Sequence, residues 1–254
     1  MSSRSDTAPK ISLRRALGFP FTRRNWPLTL LYLGLLQYVP LVGWIVLRGW
    51  RFDLARRIGA EHDERLPDWR GLREHWRWGW ILVAASMVHY LPLWIAAWTQ
   101  RRVVFWTLVA IGQWWWTRLT DSPTEPFPME EFGPGLRALA ALLALFLLYP
   151  PLINAVLETG THRYADTGRW VALYEFWKNV WGAGEDFWDV LRIEGGILGL
   201  NVLVGVVSLI LVYTIGGAFL IPPLMFPVYM WTRGALMGQW IRKNRWEAGR
   251  SLAS

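Results

Sequence analysis

Six stretches of this chain are long, apolar and nearly bare of charge, and many of its 20 tryptophans lie within or beside them. No other property narrows the possible folds so far. A run of about 20 apolar residues matches the hydrocarbon thickness of a bilayer. In that medium backbone N–H and C=O groups must be paired internally, so such a run folds as a helix. Tryptophan, an apolar body with one N–H donor, settles where hydrocarbon meets headgroup. The expected fold class is an all-α integral membrane protein.

Composition points the same way. Apolar residues make up 53% of the chain and charged residues 18%, against roughly 25% charged in a soluble domain. No segment outside the runs is apolar enough to build a soluble core. The absence of cysteine excludes disulfides, thiolate catalysis and Cys-ligated metal. Met1 to Lys10 is polar, and no short apolar stretch with a cleavage site follows, so the first run is expected to act as an uncleaved anchor. The net charge of +8 is read as arginine facing anionic headgroups on the cytoplasmic side, not as a nucleic-acid surface.

Along the chain, residues 1–10 read as a disordered tail. Residues 11–26, with Arg14, Arg15, Arg23 and Arg24, read as a basic amphipathic segment on the membrane surface. The first run, Trp26 to Leu47, is interrupted at Pro40 and Gly43. A charged connector, Arg48 to Arg77, carries Arg56 and Arg57. Its second half sets Trp69, Leu72, Trp76 and Trp80 at helical spacing, so it is expected to lie flat. Only Thr99 to Arg102 separates the second run, Gly79 to Trp98, from the third, Val103 to Trp116, which predicts a tight hairpin. Residues 121–135 form a Pro-rich acidic loop.

The fourth run, Leu136 to Leu157, is broken at Pro150 and Pro151. In the second connector Trp170, Leu173, Trp177 and Val180 share a face, with Phe187, Trp188 and Leu191 following. Gly196 to Tyr229 is too long for one span, and Gly216-Gly217 with Pro222-Pro223 mark where it divides. Residues 241–254 are a basic tail. Tyr38 to Val42 matches Tyr149 to Ile153 at an offset of 111, and Gly49 matches Gly160. The chain therefore reads as two tandem units, 11–120 and 136–240. Each has a Pro-broken helix, an amphipathic surface connector and a two-helix transmembrane hairpin.

Orientation follows from arginine. If both Pro-broken runs are re-entrant, the termini and both connectors lie inside, and only Arg101 and Arg102 are left outside. The alternative is that the prolines merely kink complete spans.

No run carries an ionised residue in its interior, which argues against proton coupling or voltage sensing. His89 lies near the middle of the second run. It is a candidate ligand to a haem or chlorophyll-type magnesium, or a histidine bonded to a neighbouring helix. Gln37, Asn154 and Asn201 are candidates for hydrogen bonds between helices. Trp114, Trp115 and Trp116 point about 100° apart on a helix. With Trp76 and Trp80 they suit an interfacial belt, or a stacking surface for a pigment, quinone or partner helix. Asp166, Glu175, Glu185, Asp186, Asp189 and Glu194 read as a solvated face. No phosphate-binding loop, nucleophile elbow, zinc motif or dinucleotide fingerprint is present, and no residue is singled out as catalytic.

Several motifs carry a family resemblance. They are Phe19-Pro20-Phe21, Asn25-Trp26, Val39 to Trp44, Gly49-Trp50, Arg56-Arg57, Leu66 to Trp69 and Arg163 to Gly168. Together they resemble the prokaryotic multi-pass membrane family filed as domain of unknown function 4013, from about residue 14 to 240. The resemblance implies a polytopic helical fold in the plasma membrane, and it implies no activity. The expected role is non-enzymatic: an accessory or scaffolding subunit touching lipid, anionic headgroups and other membrane proteins, with no nucleic acid. The alternatives are a permease or lipid-handling transporter with a cavity between the repeats, and a photosynthetic or respiratory subunit contacting pigment or quinone.

Overall fold

The computed structural model describes residues 9–39, 41–59, 66–67, 71–120, 129–211 and 215–251. Among them every regular element is helical: α1 Leu13–Gly18, α2 Trp26–Leu36, α3 Val42–Gly59, α4 Leu72–Thr120, α5 Met129–Thr167, α6 Phe176–Glu185, α7 Phe187–Leu211 and α8 Ile215–Ser251. Short 3-10 turns occupy Pro20–Thr22 and Trp170–Tyr174. Among the described residues three helices are long and apolar enough to cross a membrane: α4, α5 over Gly133–Thr167, and α7 over Phe187–Val207.

The first run is divided, as its sequence predicts. α2 ends at Leu36 and α3 begins at Val42. Leu41 between them takes φ 59°, a left-handed conformation that strains a residue with a β-carbon. Gly43 allows the reversal, because a Cβ there would sit 1.7 Å from the Leu36 carbonyl oxygen. Pro40 lies outside the described residues, as do most of the 1–10 tail and residues 121–128 of the acidic loop.

Elsewhere the breaks differ from expectation. The hairpin predicted around Thr99 to Arg102 is absent, and α4 runs through it as one helix of 49 residues. Nothing in that tetrapeptide terminates a helix, since it holds no Gly or Pro. Instead the Thr99 hydroxyl and the Arg101 guanidinium donate back to the Ala96 and Trp98 carbonyls at 2.9 and 2.7 Å. Leu72, Trp76 and Trp80 form the first turns of the same helix, not a flat connector. Pro150 and Pro151 do not break α5, which continues through both. Proline's fixed φ suits a helix, and the cost is a lost N–H bond and crowding of the carbonyl four residues back at each proline. In lipid an open break would leave more groups unpaired. α7 ends at Leu211 and α8 starts at Ile215, so that division precedes Gly216, Gly217, Pro222 and Pro223, which all lie within α8. Residues 129–135 open α5, and the basic tail is the last part of α8.

The chain packs as two compact units, Met1–Ser86 with Ala155–Ser254, and Met87–Asn154. In the larger unit α3 is central, with Leu47, Trp50 and Leu54 fully buried. It runs parallel to α8: Gly234 abuts Arg51, Gly238 abuts Ile58, and Gly59 abuts Ile241. A Cβ on Gly238 would come within 2.5 Å of the Ile58 Cβ. Between helices in lipid there is little hydrophobic drive, so such close backbone approach and interhelical polar pairs hold the assembly. α5 is also parallel to α8, as Glu158 pairs with Arg233 and Asp166 with Arg245. The start of α4 runs antiparallel to α3, with Gly49 against the His75 carbonyl and Gly79 against that of Ile45. α7 opposes α8 through Glu194–Arg233 and Asp189–Lys243. The N-terminal segment also opposes α8: the Ser12 N–H donates to Gln239 at 2.7 Å, and Phe21 meets Trp231 edge-on.

The smaller unit is an antiparallel hairpin of α4 and α5. Gly135 abuts Thr107, the Tyr149 hydroxyl donates to the His89 carbonyl at 2.7 Å, and Tyr90 donates to Asn154 at 3.0 Å. That register sets Arg137 within about one turn of Arg101 and Arg102. Between Arg137 and Glu158 α5 carries no acidic or basic side chain, a stretch of about 30 Å, the thickness of a hydrocarbon core.

Candidate functional site

The most unusual grouping in the larger unit is a buried set of charges supplied by four helices. Arg233 on α8 is its hub. Its Nε donates to Glu158 Oε1 on α5 at 2.7 Å, and its Nη2 to Glu194 Oε1 on α7 at 3.0 Å. Its Nη1 donates to the Tyr229 hydroxyl at 2.6 Å. Arg51 on α3 faces Glu158 Oε1 at 3.9 Å. Glu158 and Arg233 are buried, and Glu158 Oε2 is enclosed with no hydrogen-bond partner. Two guanidiniums and two carboxylates cancel in charge, which is the condition for holding ions away from water.

Each of the four sits at the edge of an apolar stretch. Arg51 follows the first run, Glu158 the fourth, Glu194 precedes Gly196, and Arg233 follows Tyr229. The parallel and antiparallel registers bring those edges to one level. The chemistry is that of a charge-neutral clamp tying four helix ends together.

Two further polar groups belong to the same unit. Asp53, buried on α3, receives Arg57 at 3.0 Å, faces Arg56 at 3.6 Å and meets His75 Nε2 at 3.3 Å. Burial pushes the Asp53 carboxyl up, but the His75 hydrogen bond and the Arg57 charge outweigh it and hold the carboxyl below the usual range. Arg56 also lies over the Trp78 ring at 4.9 Å. On α8, Lys243 bonds Asp189 and approaches Glu247 at 3.6 Å. The Asp189 hydrogen bond raises the lysine above its ordinary value. Trp240 and Asn244 both donate to Asp186, at 3.1 and 2.7 Å.

The acidic residues expected to form a solvated face divide. Asp166, Glu175 and Glu185 keep to the surface, and Glu175 is held below its usual range by Lys178 and Arg163. Asp189 is buried and Glu194 largely so, because α8 supplies a cation opposite each. Arg51, Glu158, Glu194 and Arg233 stand just outside the apolar runs, at the span edges, and pair with one another.

The other residues singled out by sequence lie apart from this cluster. His89 is buried on α4. Asn154 makes the interhelical bond its sequence predicts, Asn201 is exposed, and Gln37 Oε1 is enclosed without a hydrogen-bond partner. Trp115 and Trp116 are exposed at the end of α4, and Arg118 lies 4.4 Å over the Trp114 ring. Trp76 and Trp80 meet edge-on at 5.7 Å. Arg14, Arg15 and Arg24 are exposed on the N-terminal segment and Arg23 is half-buried.

Helices of this length and apolarity, joined by charges at their ends, define a helical membrane protein. The sequence model of the family described as Protein of unknown function (DUF4013) matches residues 32–221. The chain belongs to that family. No curated protein and no solved structure matches it.

Proposed function

We propose that this chain is a non-enzymatic, multi-pass subunit of the bacterial or archaeal plasma membrane that packs against other membrane proteins or organises lipid. The observation that carries the reading is the Arg51–Glu158–Glu194–Arg233 cluster. Four charged groups at span edges are paired with one another across four helices, and many large apolar side chains face outward along α4, α5 and α7. A chain that moved protons or polar solutes would need some of those groups on a path.

The helix directions support termini on the cytoplasmic side. With α2 and α3 forming a re-entrant pair, α4 and α7 lead outward and α5 and α8 lead back. The N-terminal arginines, Arg56, Arg57 and the C-terminal cations then lie inside with anionic headgroups. The positive-inside rule then leaves Arg101 and Arg102 outside. The tandem-unit reading keeps one support: Gly49 and Gly160, at the offset of 111, both admit a neighbouring segment where a Cβ would clash, with His75 and with Asn179.

The test is gentle detergent extraction, identification of what copurifies, and an absorption spectrum of the complex. A stoichiometric membrane-protein partner or tightly held lipid is the expected result. A lone stable protein catalysing substrate-dependent uptake into liposomes would overturn the reading.

A further inference from the structure

Resting on the membrane reading above, we infer that α6 and the start of α7 form an aromatic wedge seated in the headgroup–acyl boundary of the bilayer. Eight apolar side chains lie exposed between Trp170 and Leu191, among them Trp177 at 72%, Trp181 at 73% and Trp188 at 70%. Water would make a poor neighbour for a patch of this kind, whereas indole prefers an interface.

The orientation of α6 follows from one buried residue. Asn179 donates to the Ala172 carbonyl at 2.9 Å and accepts from Arg163 at 2.8 Å, so its face is fixed against the protein. At about 100° per residue, Trp177, Trp181 and Gly184 then point away from the protein. Lys178 and Glu185 share one flank, about 110° round. The sequence groups Trp177 with Leu173 and Val180, but Leu173 is fully buried and Trp177 is turned outward.

The neighbouring surface identifies the occupant. Trp188, Leu191, Gly195, Leu198, Val202 and Val206 follow one another at spacings of three or four along α7, and all are exposed. This strip belongs to a helix long and apolar enough to cross a membrane. The α6 aromatics immediately precede this strip in the chain, with Glu185 and Asp186 between them, at the end where Glu194 meets Arg233. A surface next to the end of an exposed apolar strip of membrane-spanning length, indole-rich and flanked by the exposed Lys178 and Arg192, fits lipid headgroups and the upper acyl chain.

The cysteine-free chain makes the test direct. Single variants Trp177→Cys, Trp181→Cys, Trp188→Cys and Glu185→Cys are labelled with an environment-sensitive fluorophore and reconstituted in phosphatidylcholine–phosphatidylglycerol vesicles. Lipids brominated near the carbonyl end of the acyl chain should quench the three former tryptophan sites, with iodide quenching several-fold weaker there than at 185. Equal iodide quenching at all four sites would overturn the wedge. So would shielding of the three from both iodide and brominated lipid, since a second copy or another protein would then cover them. Copurification is a separate readout, so failure of the subunit reading would leave this result standing. Thermal melting of each variant in detergent confirms that it is folded.

Discussion

Arg233 donates to Glu158 at 2.7 Å across 75 positions of sequence, and through this bond α8 is tied to α5. The same guanidinium reaches Glu194 on α7. Arg233→Met would leave two carboxylates buried beside Arg51 alone. Removing one partner of a buried pair costs about 3–5 kcal/mol, so the melting temperature in detergent should fall sharply. The double variant Arg233→Met with Glu158→Met removes a charge of each sign and should recover much of the loss. A single variant that melts like the parent would show that the cluster holds nothing together.

The apolar runs were legible because scarcity of charge is a local property, and each run announces itself. The cluster was not, because its members lie 39 and 75 positions apart and each reads as an ordinary flanking charge. One signal was available: two cations and two acids, each at the edge of a different apolar stretch. α4 was misread for a related reason. Arg101 and Arg102 look like a boundary because charge avoids hydrocarbon, yet two arginines cost a helix almost nothing. Pro150 and Pro151 look like a break, yet α5 continues through both.

Glycines in this fold differ by what stands opposite them. A Cβ on Gly49 would lie 1.7 Å from the His75 carbonyl oxygen, while one on Gly195 would meet nothing. Gly49→Ala must push α3 from α4, at about 1–3 kcal/mol for overpacking. Gly195→Ala should raise stability by about 0.5–1 kcal/mol, since glycine costs that much inside a helix. Thermal melts of the two variants should move in opposite directions. A shift of the same sign in both would refute the close approach at Gly49.

The pH dependence of stability should be set by Asp53 at the acid end and Lys243 at the alkaline end. Asp53 is held below its unfolded value of about 3.9, so its contribution is present above that value and is lost as pH falls through the folded one. Lys243 is held above its unfolded value of about 10.4, so its contribution is present below that value and is lost as pH rises through the folded one. Melting temperature measured from acid to alkaline pH should fall at both ends. Asp53→Asn should flatten the acid limb and leave the alkaline limb in place, and Lys243→Met should do the reverse. An acid limb of unchanged steepness in Asp53→Asn would assign it to another carboxylate.

The partner of the second half of α4 decides between a continuous helix and a turn at Thr99 to Arg102. Thr107 lies opposite Gly135, where an ideal Cβ would be 2.9 Å from the threonine Cβ. A disulfide needs about 3.5–4.5 Å between β-carbons, a separation reached by a small outward shift. Thr107→Cys with Gly135→Cys, in a chain with no other thiol, should therefore cross-link under mild oxidation and resist maleimide labelling. Ile95 and Trp106 provide the contrast. On a straight helix they are about 16 Å apart along the axis, beyond the reach of a disulfide, whereas a hairpin centred on Gln100 and Arg101 would set them side by side. Ile95→Cys with Trp106→Cys should stay reduced. Cross-linking of that pair, with none at 107 and 135, would mean that the chain turns at the arginines after all.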